Sequence, residues 1–320
     1  MKNLSTVIPL VLLLSLLSQF CYGQDNSIKV QPFIPEIITH IPSARDVAIS
    51  PSGNEVFFTA QSFQGELSAI LWITAQNGKW SEPVVAPFSG KYLDLEPFFS
   101  PDGLKLYFVS NRPLDTALSA EQKDYDIWYV ERKSTNGTWS NPMNIGAPIN
   151  TKSNEFYPSV SKSNTMYFTS DGTASKGKDD IFVSKFINGK YEQPKPVGDS
   201  VNSEGYEFNA FISPDESYLI YTCYNRKGGL GSGDLYISYN KGNDSWTAPV
   251  TLGDKINSPF MDYCPFVDLK TETLYFTSKR SEIKNKYDKN RSIQDLRTEM
   301  NTFENGLSRL YKVKIKNLLK

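Results

Sequence analysis

The chain has 320 residues, enough for one large domain or two ordinary ones, with aromatic residues at 13% alongside 20 glycines and 19 prolines. Short runs of Val, Ile, Thr and Tyr broken by turn residues read as many short strands, which excludes a mainly helical architecture. A formal net charge of −1 leaves no electrostatic footprint for nucleic acid.

Residues 1–23 read as a cleavable export signal. Lys2 opens it, Val7 to Leu17 is apolar apart from Pro9 and Ser15, and Cys21 and Gly23 stand at −3 and −1 before Gln24. The segment is too short and wrongly flanked for a membrane span. The competing reading is a lipid anchor on Cys21, which bulky Phe20 directly before it disfavours. The remainder, 24–320, is expected to be a single domain, periplasmic or secreted, with no transmembrane segment. Export permits disulfides, yet only Cys223 and Cys264 remain, and both read as buried free thiols.

Next comes a strand expected over residues 33–43, followed by a unit that recurs five times. DVAISPSGNEVFFTA from Asp46, EPFFSPDGLKLYFVS from Glu96, YPSVSKSNTMYFTS from Tyr157, NAFISPDESYLIYTC from Asn209 and CPFVDLKTETLYFTS from Cys264 each read as strand, tight turn, strand. Ser50, Ser100, Ser161, Ser213 and Asp268 hold equivalent places, at intervals of 50, 61, 52 and 55 residues. A third strand follows in each copy, from Ile70, Asp126, Asp180, Asp234 and Arg309. Hairpin turns come after it at Asn77-Gly78, Asn136-Gly137, Asn188-Gly189 and Lys241-Gly242-Asn243. Trp80, Trp139, Tyr191 and Trp246 then open a fourth strand, each with a proline three residues on, which suits an outer edge.

Repeats of this length suit the four-stranded blades of a β-propeller. The expected fold is all-β, a five-bladed propeller of four-stranded antiparallel blades over roughly 44–93, 94–154, 155–206, 207–261 and 262–320. The fifth copy ends on its third strand, so residues 33–43 are expected to complete it and close the ring, removing two sheet edges. Between Arg280 and Ser308 lies the largest departure from the repeat. Within it 292–303 reads as a short amphipathic helix, with Ser292 and Asp295 as a variant capping box. It is expected either to pack its apolar side on the propeller or to serve as a lid. Lys312, Lys314, Lys316 and Lys320 read as the solvated face of the last strand.

The run SPDGLKLYFVSNR with DIWYV resembles the TolB-type β-propeller repeat of exported bacterial proteins, over roughly residues 33–316. The resemblance implies a stand-alone propeller that recruits a partner, and nothing sharper.

Two sets of residues point to a functional face. Elements ending in an acid precede the first strands, giving Asp94, Glu155, Glu207 and Asp262, with Asp46 and Glu96 two positions further along. Arg112, Arg226 and Arg280 follow the second strands and are expected on the same face, at one mouth of the channel. The acids either tie blades together through backbone amides and arginines, or ring the mouth and bind a cation or a basic group. Carboxylates so close would repel and raise one another's pKa unless counter-charged. Asp126, Asp180 and Asp234 read as braces for neighbouring loops, and DGTASKGKDD at 171–180 lacks the alternation of a calcium loop.

Catalytic chemistry is sparse. His40 is the only histidine, so neither a Ser-His-Asp triad nor a histidine-based metal centre is expected, and no cofactor motif is present. The sequence favours a non-catalytic scaffold of the cell envelope that binds a protein, peptide or glycan. The alternative is a carbohydrate-active hydrolase with a carboxylate pair at the channel mouth.

Overall fold

The computed structural model describes residues 28–114 and 124–316, and the export signal expected over 1–23 lies outside them. The chain forms a five-bladed β-propeller of antiparallel sheets. Blade one runs outward through Ser43–Ile49, Glu55–Gln61, Ser68–Gln76 and Val84–Val85, and blade two through Asp94–Phe99, Lys105–Ser110, Asp126–Glu131 and Met143–Asn144. Blade three comprises Glu155–Val160, Met166–Ser170, Asp180–Ser184 and Lys195–Pro196; blade four comprises Tyr206–Ile212, Tyr218–Tyr224, Gly233–Gly242 and Val250–Thr251. Blade five is Asp262–Asp268, Thr273–Ser278 and Arg309–Lys314, completed by the N-terminal Gln31–Pro32.

That closure uses a different stretch from the one expected. Gln31 and Pro32 pair with Lys312 and Tyr311, and the Phe33 amide donates to the Leu310 carbonyl. Residues 33–43 mostly connect instead: helix α1 spans Pro35–Ile38, and Ser43 already belongs to blade one. The reason lies in backbone geometry. After blades two, three and four the chain makes one left-handed step and a helical turn, using Gly146, Gly198 and Gly253 at φ 74, 119 and 77°. Ile34 takes that conformation here at φ 44°, with Pro35 next, where its fixed φ suits a helix start. Buried Ile38 then sits where Asn257 sits after Gly253. Residues 33–43 are therefore mostly the counterpart of the connector that follows Val250–Thr251, not of an outer strand.

The inner hairpins form as expected, because each turn has a residue able to hold positive φ. Only Gly53 and Gly103 are glycines; Asn164, Glu216 and Glu272 adopt φ of 65, 59 and 50°. Asn77-Gly78 and Asn188-Gly189 have both residues at positive φ, as a type I′ turn requires. Asn136-Gly137 departs from this: the Gly137 amide donates to Ser134, and neither residue has positive φ. The aromatics expected to open the fourth strands belong to the hairpins before them, and the outer strands pair only after the prolines.

Every inner strand carries a bulge, at Arg45/Ala48, Leu95/Phe98, Phe156/Ser159, Phe208/Phe211 and Tyr263/Phe266. One residue at each is left-handed: Asp46, Glu96, Tyr157, Asn209 and Cys264, with φ between 49 and 59°. Five such residues cost of the order of 1 kcal/mol each, so the inner wall must over-determine them. Buried amides show how: Asp46 donates to Thr277, Glu96 to Thr59 and Asn209 to Thr169, each hydroxyl belonging to the preceding blade.

Beyond the bulges, Phe98, Phe211 and Phe266 meet with ring centroids 5.7–6.3 Å apart. They come from blades two, four and five, so their meeting point is the propeller axis. The channel is plugged there. Among the described residues no helix is long and apolar enough to cross a membrane.

In the insertion, α2 spans Ile293–Met300 with the expected Ser292/Asp295 capping box. Its apolar side does not pack on the propeller: Ile293 and Met300 are 65% and 67% exposed. Only Phe303, beyond the helix, docks edge-on against Tyr311 at 5.4 Å.

Candidate functional site

The bulge brings one residue of each blade to the axis, and their chemistry differs from blade to blade. Glu96 is the hub. It accepts from Arg45 at 2.8 Å, from the Tyr157 amide at 2.7 Å and from Asn209 at 3.3 Å, which links four blades through one carboxylate. The Tyr157 amide turns to Glu96 because blade two has Val109 where other blades carry threonine. Arg45 also bonds Asp46 at 2.8 Å, approaches the Cys264 sulfur at 3.6 Å and lies 5.2 Å from the centre of the Tyr263 ring. Cys264 in turn donates to Asn209, and the Tyr157 hydroxyl reaches across to the Pro265 carbonyl.

Above this layer lies a cup of about 230 Å3, lined by Arg45, Leu95, Glu96, Phe156, Thr169, Asp179, Phe208, Asn209, Met261 and Tyr263. Its rim is aromatic and half-buried; its floor is the polar hub, with the phenylalanine plug beneath. Burial pushes Glu96 up to about 7 despite the opposing charge of Arg45, and Asp46 adds to the rise. Burial likewise raises Asp179, and holds the Cys264 thiol well above its ordinary value, so it stays protonated.

The second set of predicted residues is elsewhere. Asp94, Glu155, Glu207 and Asp262 hold equivalent positions two residues before the bulge, and none of them lines the cup. Each folds its own entry turn: Asp94 accepts from Ser89 and Gly90, Glu155 from Thr151, Glu207 from Ser203 and Asp262 from Ser258, at 2.6–3.3 Å. Arg112 bonds Asp94 at 2.5 Å, Arg280 bonds Asp262 at 3.3 Å and Arg226 approaches Glu207 at 3.5 Å. Structure therefore unites Asp46 with Glu96 at the axis and pairs Asp94, Glu207 and Asp262 with arginines, while Glu155 has no arginine partner among the described residues. Blade one has Ala44 in the acid position.

The other repeated acids hold loops. Asp180 accepts from the Lys176 and Gly177 amides, Asp234 from Leu230 and Gly231, and Asp126 from the Asn144 side chain. Asn150, Asn202 and Asn257 each bond both backbone groups of Ile127, Ile181 and Leu235 respectively. No group of three or more His, Cys, Asp or Glu side chains among the described residues is arranged to hold a metal ion. Cys223 and Cys264 are free and buried, as the sequence leads one to expect.

Sequence reasoning missed Arg45 and the buried Arg132–Glu55 pair. Arg45 occurs once, so no repeat marks it; its adjacency to Asp46 in an otherwise uncharged strand was the available sign.

No protein-family model matches the chain, and no curated protein matches it. Solved structures do resemble it. An α-L-arabinofuranosidase from Podospora anserina, solved in complex with cellotriose, aligns with TM-score 0.51 at 13% identity over 85% of this chain and 90% of that one. A protein described as TolB from Agrobacterium tumefaciens aligns with TM-score 0.48 at 16% identity over 80% and 79%. TolB from Acinetobacter baumannii aligns with TM-score 0.44 at 14% identity, over 84% of this chain and 54% of that one. At these identities the likeness is one of fold.

Proposed function

We propose that the chain is a non-catalytic binding propeller of the bacterial cell envelope, a TolB-type ring exported by its N-terminal signal, which holds a protein, peptide or glycan at the axial cup. One observation carries this reading: the cup is a blind, aromatic-rimmed recess whose floor carboxylate, Glu96, is already bonded within the chain. Half-buried Phe156 and Phe208 offer stacking surface for a sugar or an aromatic side chain, and Arg45 and Asn209 offer donors at the floor. Rigid rings that present side chains at one mouth suit recognition.

The test is retention of envelope components on the purified chain. The expected outcome is a discrete partner, held by the wild type and lost in the Phe156→Ala/Phe208→Ala variant. Equal retention by both would remove the cup from the account.

A second reading, glycoside hydrolysis, draws on the raised carboxyl of Glu96, which lies in the range of a general acid. Asp46 is its natural partner, but it does not line the cup and is bonded to Arg45. Turnover of envelope glycans by the wild type and its loss in Glu96→Gln would promote this reading over the first.

A further inference from the structure

Between blades the propeller builds a seat for a guanidinium and uses it repeatedly. In blade two, Arg112 bonds the Asp94 carboxylate at 2.5 Å, the Phe88 carbonyl at 3.1 Å and the Ser110 hydroxyl at 2.8 Å. Its guanidinium carbon lies 4.9 and 5.4 Å from the ring centres of Phe108 and Trp128. Blade five repeats the arrangement: Arg280 meets Asp262 and the Ile256 carbonyl, 5.3 and 5.1 Å from the Phe276 and Tyr311 rings. Arginine stacked on rings with a carboxylate at its edge is a favourable combination of flat cation and planar acceptor.

Blade three keeps every wall of the seat and lacks the arginine. Glu155 stands for Asp94, Ile149 for Ile256, Ser170 for Ser110, and Phe168 and Phe182 for the two rings, while Gly172 holds the place of Arg112 and Arg280. These residues line a cavity of about 300 Å3. Glu155 is fully buried, and Thr151 satisfies only part of its acceptor capacity. Lys152 also lines the cavity, but among the described residues no ion pair links it to Glu155.

We infer that blade three takes up the arginine side chain of a second polypeptide, seated on Glu155 between Phe168 and Phe182 as the chain's own arginines are seated in blades two and five. This site is separate from the axial cup, and the inference goes beyond the function proposed for the cup. Burial pushes Glu155 up to about 7, with Asp126 and Asp124 adding to the rise, so an arriving cation relieves an uncompensated carboxylate. Lysine lacks the planar fork that meets carboxylate, carbonyl and hydroxyl at once.

The experiment is calorimetric titration of the full chain with a capped Gly-Arg-Gly peptide, its lysine and citrulline counterparts, and free arginine. Saturable binding of the arginine peptide is expected, weaker by roughly tenfold or more for lysine and citrulline. Glu155→Gln should weaken it as much. Gly172→Arg should abolish it by seating its own guanidinium; the atoms nearest the new Cβ belong to the Ser170 and Ser153 side chains, at 3.3–3.8 Å, so the Ser170 hydroxyl has to give by only a few tenths of an ångström. Phe208→Ala in the cup should leave binding unchanged. Absence of saturable binding, equal binding of the citrulline peptide, or undiminished binding by Glu155→Gln overturns the inference. A tighter hold on free arginine than on the peptide overturns its assignment to a polypeptide.

Discussion

Individual residues decide which repeated positions are structural and which are chemically distinct. Glu155 is the sharpest case, because it is a buried acid whose equivalents in blades two, four and five each face an arginine. Its carboxyl is raised from 4.5 to about 7 by burial, against the pull of Thr151 and with Asp126 and Asp124 adding to it. Between those two values the folded chain binds a proton that the unfolded chain has released, so the group's contribution favours folding at low pH and is lost as pH rises through about 7. Replacing Glu155 by Gln should therefore flatten the fall in stability between pH 5 and 7.5. The gain at pH 8 should be roughly 3 kcal/mol. Urea midpoints of both proteins at pH 5 and pH 8 check this, and parallel pH curves would contradict it.

Among structural elements, the seams between blades one and two show how neighbours are tied. Arg132 leaves the third strand of blade two and crosses to Glu55 in blade one, with bonds of 3.0 and 2.7 Å between buried partners. It also donates to the Gly103 carbonyl and lies 4.2 Å from the centre of the Trp139 ring. Truncating it leaves a buried carboxylate uncompensated, so Arg132→Ala should cost about 3–5 kcal/mol in urea unfolding at pH 7. Arg132→Ala combined with Glu55→Gln should cost less than Arg132→Ala alone, since the stranded charge is gone. A loss below 1 kcal/mol for the single variant would show the strap to be dispensable. The elements themselves were plain in the sequence wherever local chemistry marks them: the Ser100-Pro101-Asp102-Gly103 turn, the Asn77-Gly78 hairpin and the Ser292/Asp295 cap. The strap was not, because Arg132 and Glu55 are 77 positions apart and occur once each.

At the scale of the whole molecule, the ring and its blade count were legible because a repeated sheet buries itself only against its copies. The closing strand was misplaced by a few residues, since Ile34 adopts a conformation that three of the other connectors assign to glycine and that its side chain does not advertise. The axial site was legible only in part. Asp46, Glu96, Tyr157, Asn209 and Cys264 align in the repeat and share a backbone conformation but no common side-chain chemistry, so recurring acids single out Asp46 and Glu96 together with the seam residues beside them and leave out Tyr157, Asn209 and Cys264. Three phenylalanines then turn a channel into a cup, so the binding proposed above is confined to one mouth. Hydrogen exchange of the chain with and without its captured envelope partner tests this most directly. New protection is expected in the inner-strand segments that carry Arg45, Leu95, Phe156, Phe208 and Tyr263. Protection confined to the outer strands, or to the inner hairpin turns at the opposite face, would contradict it.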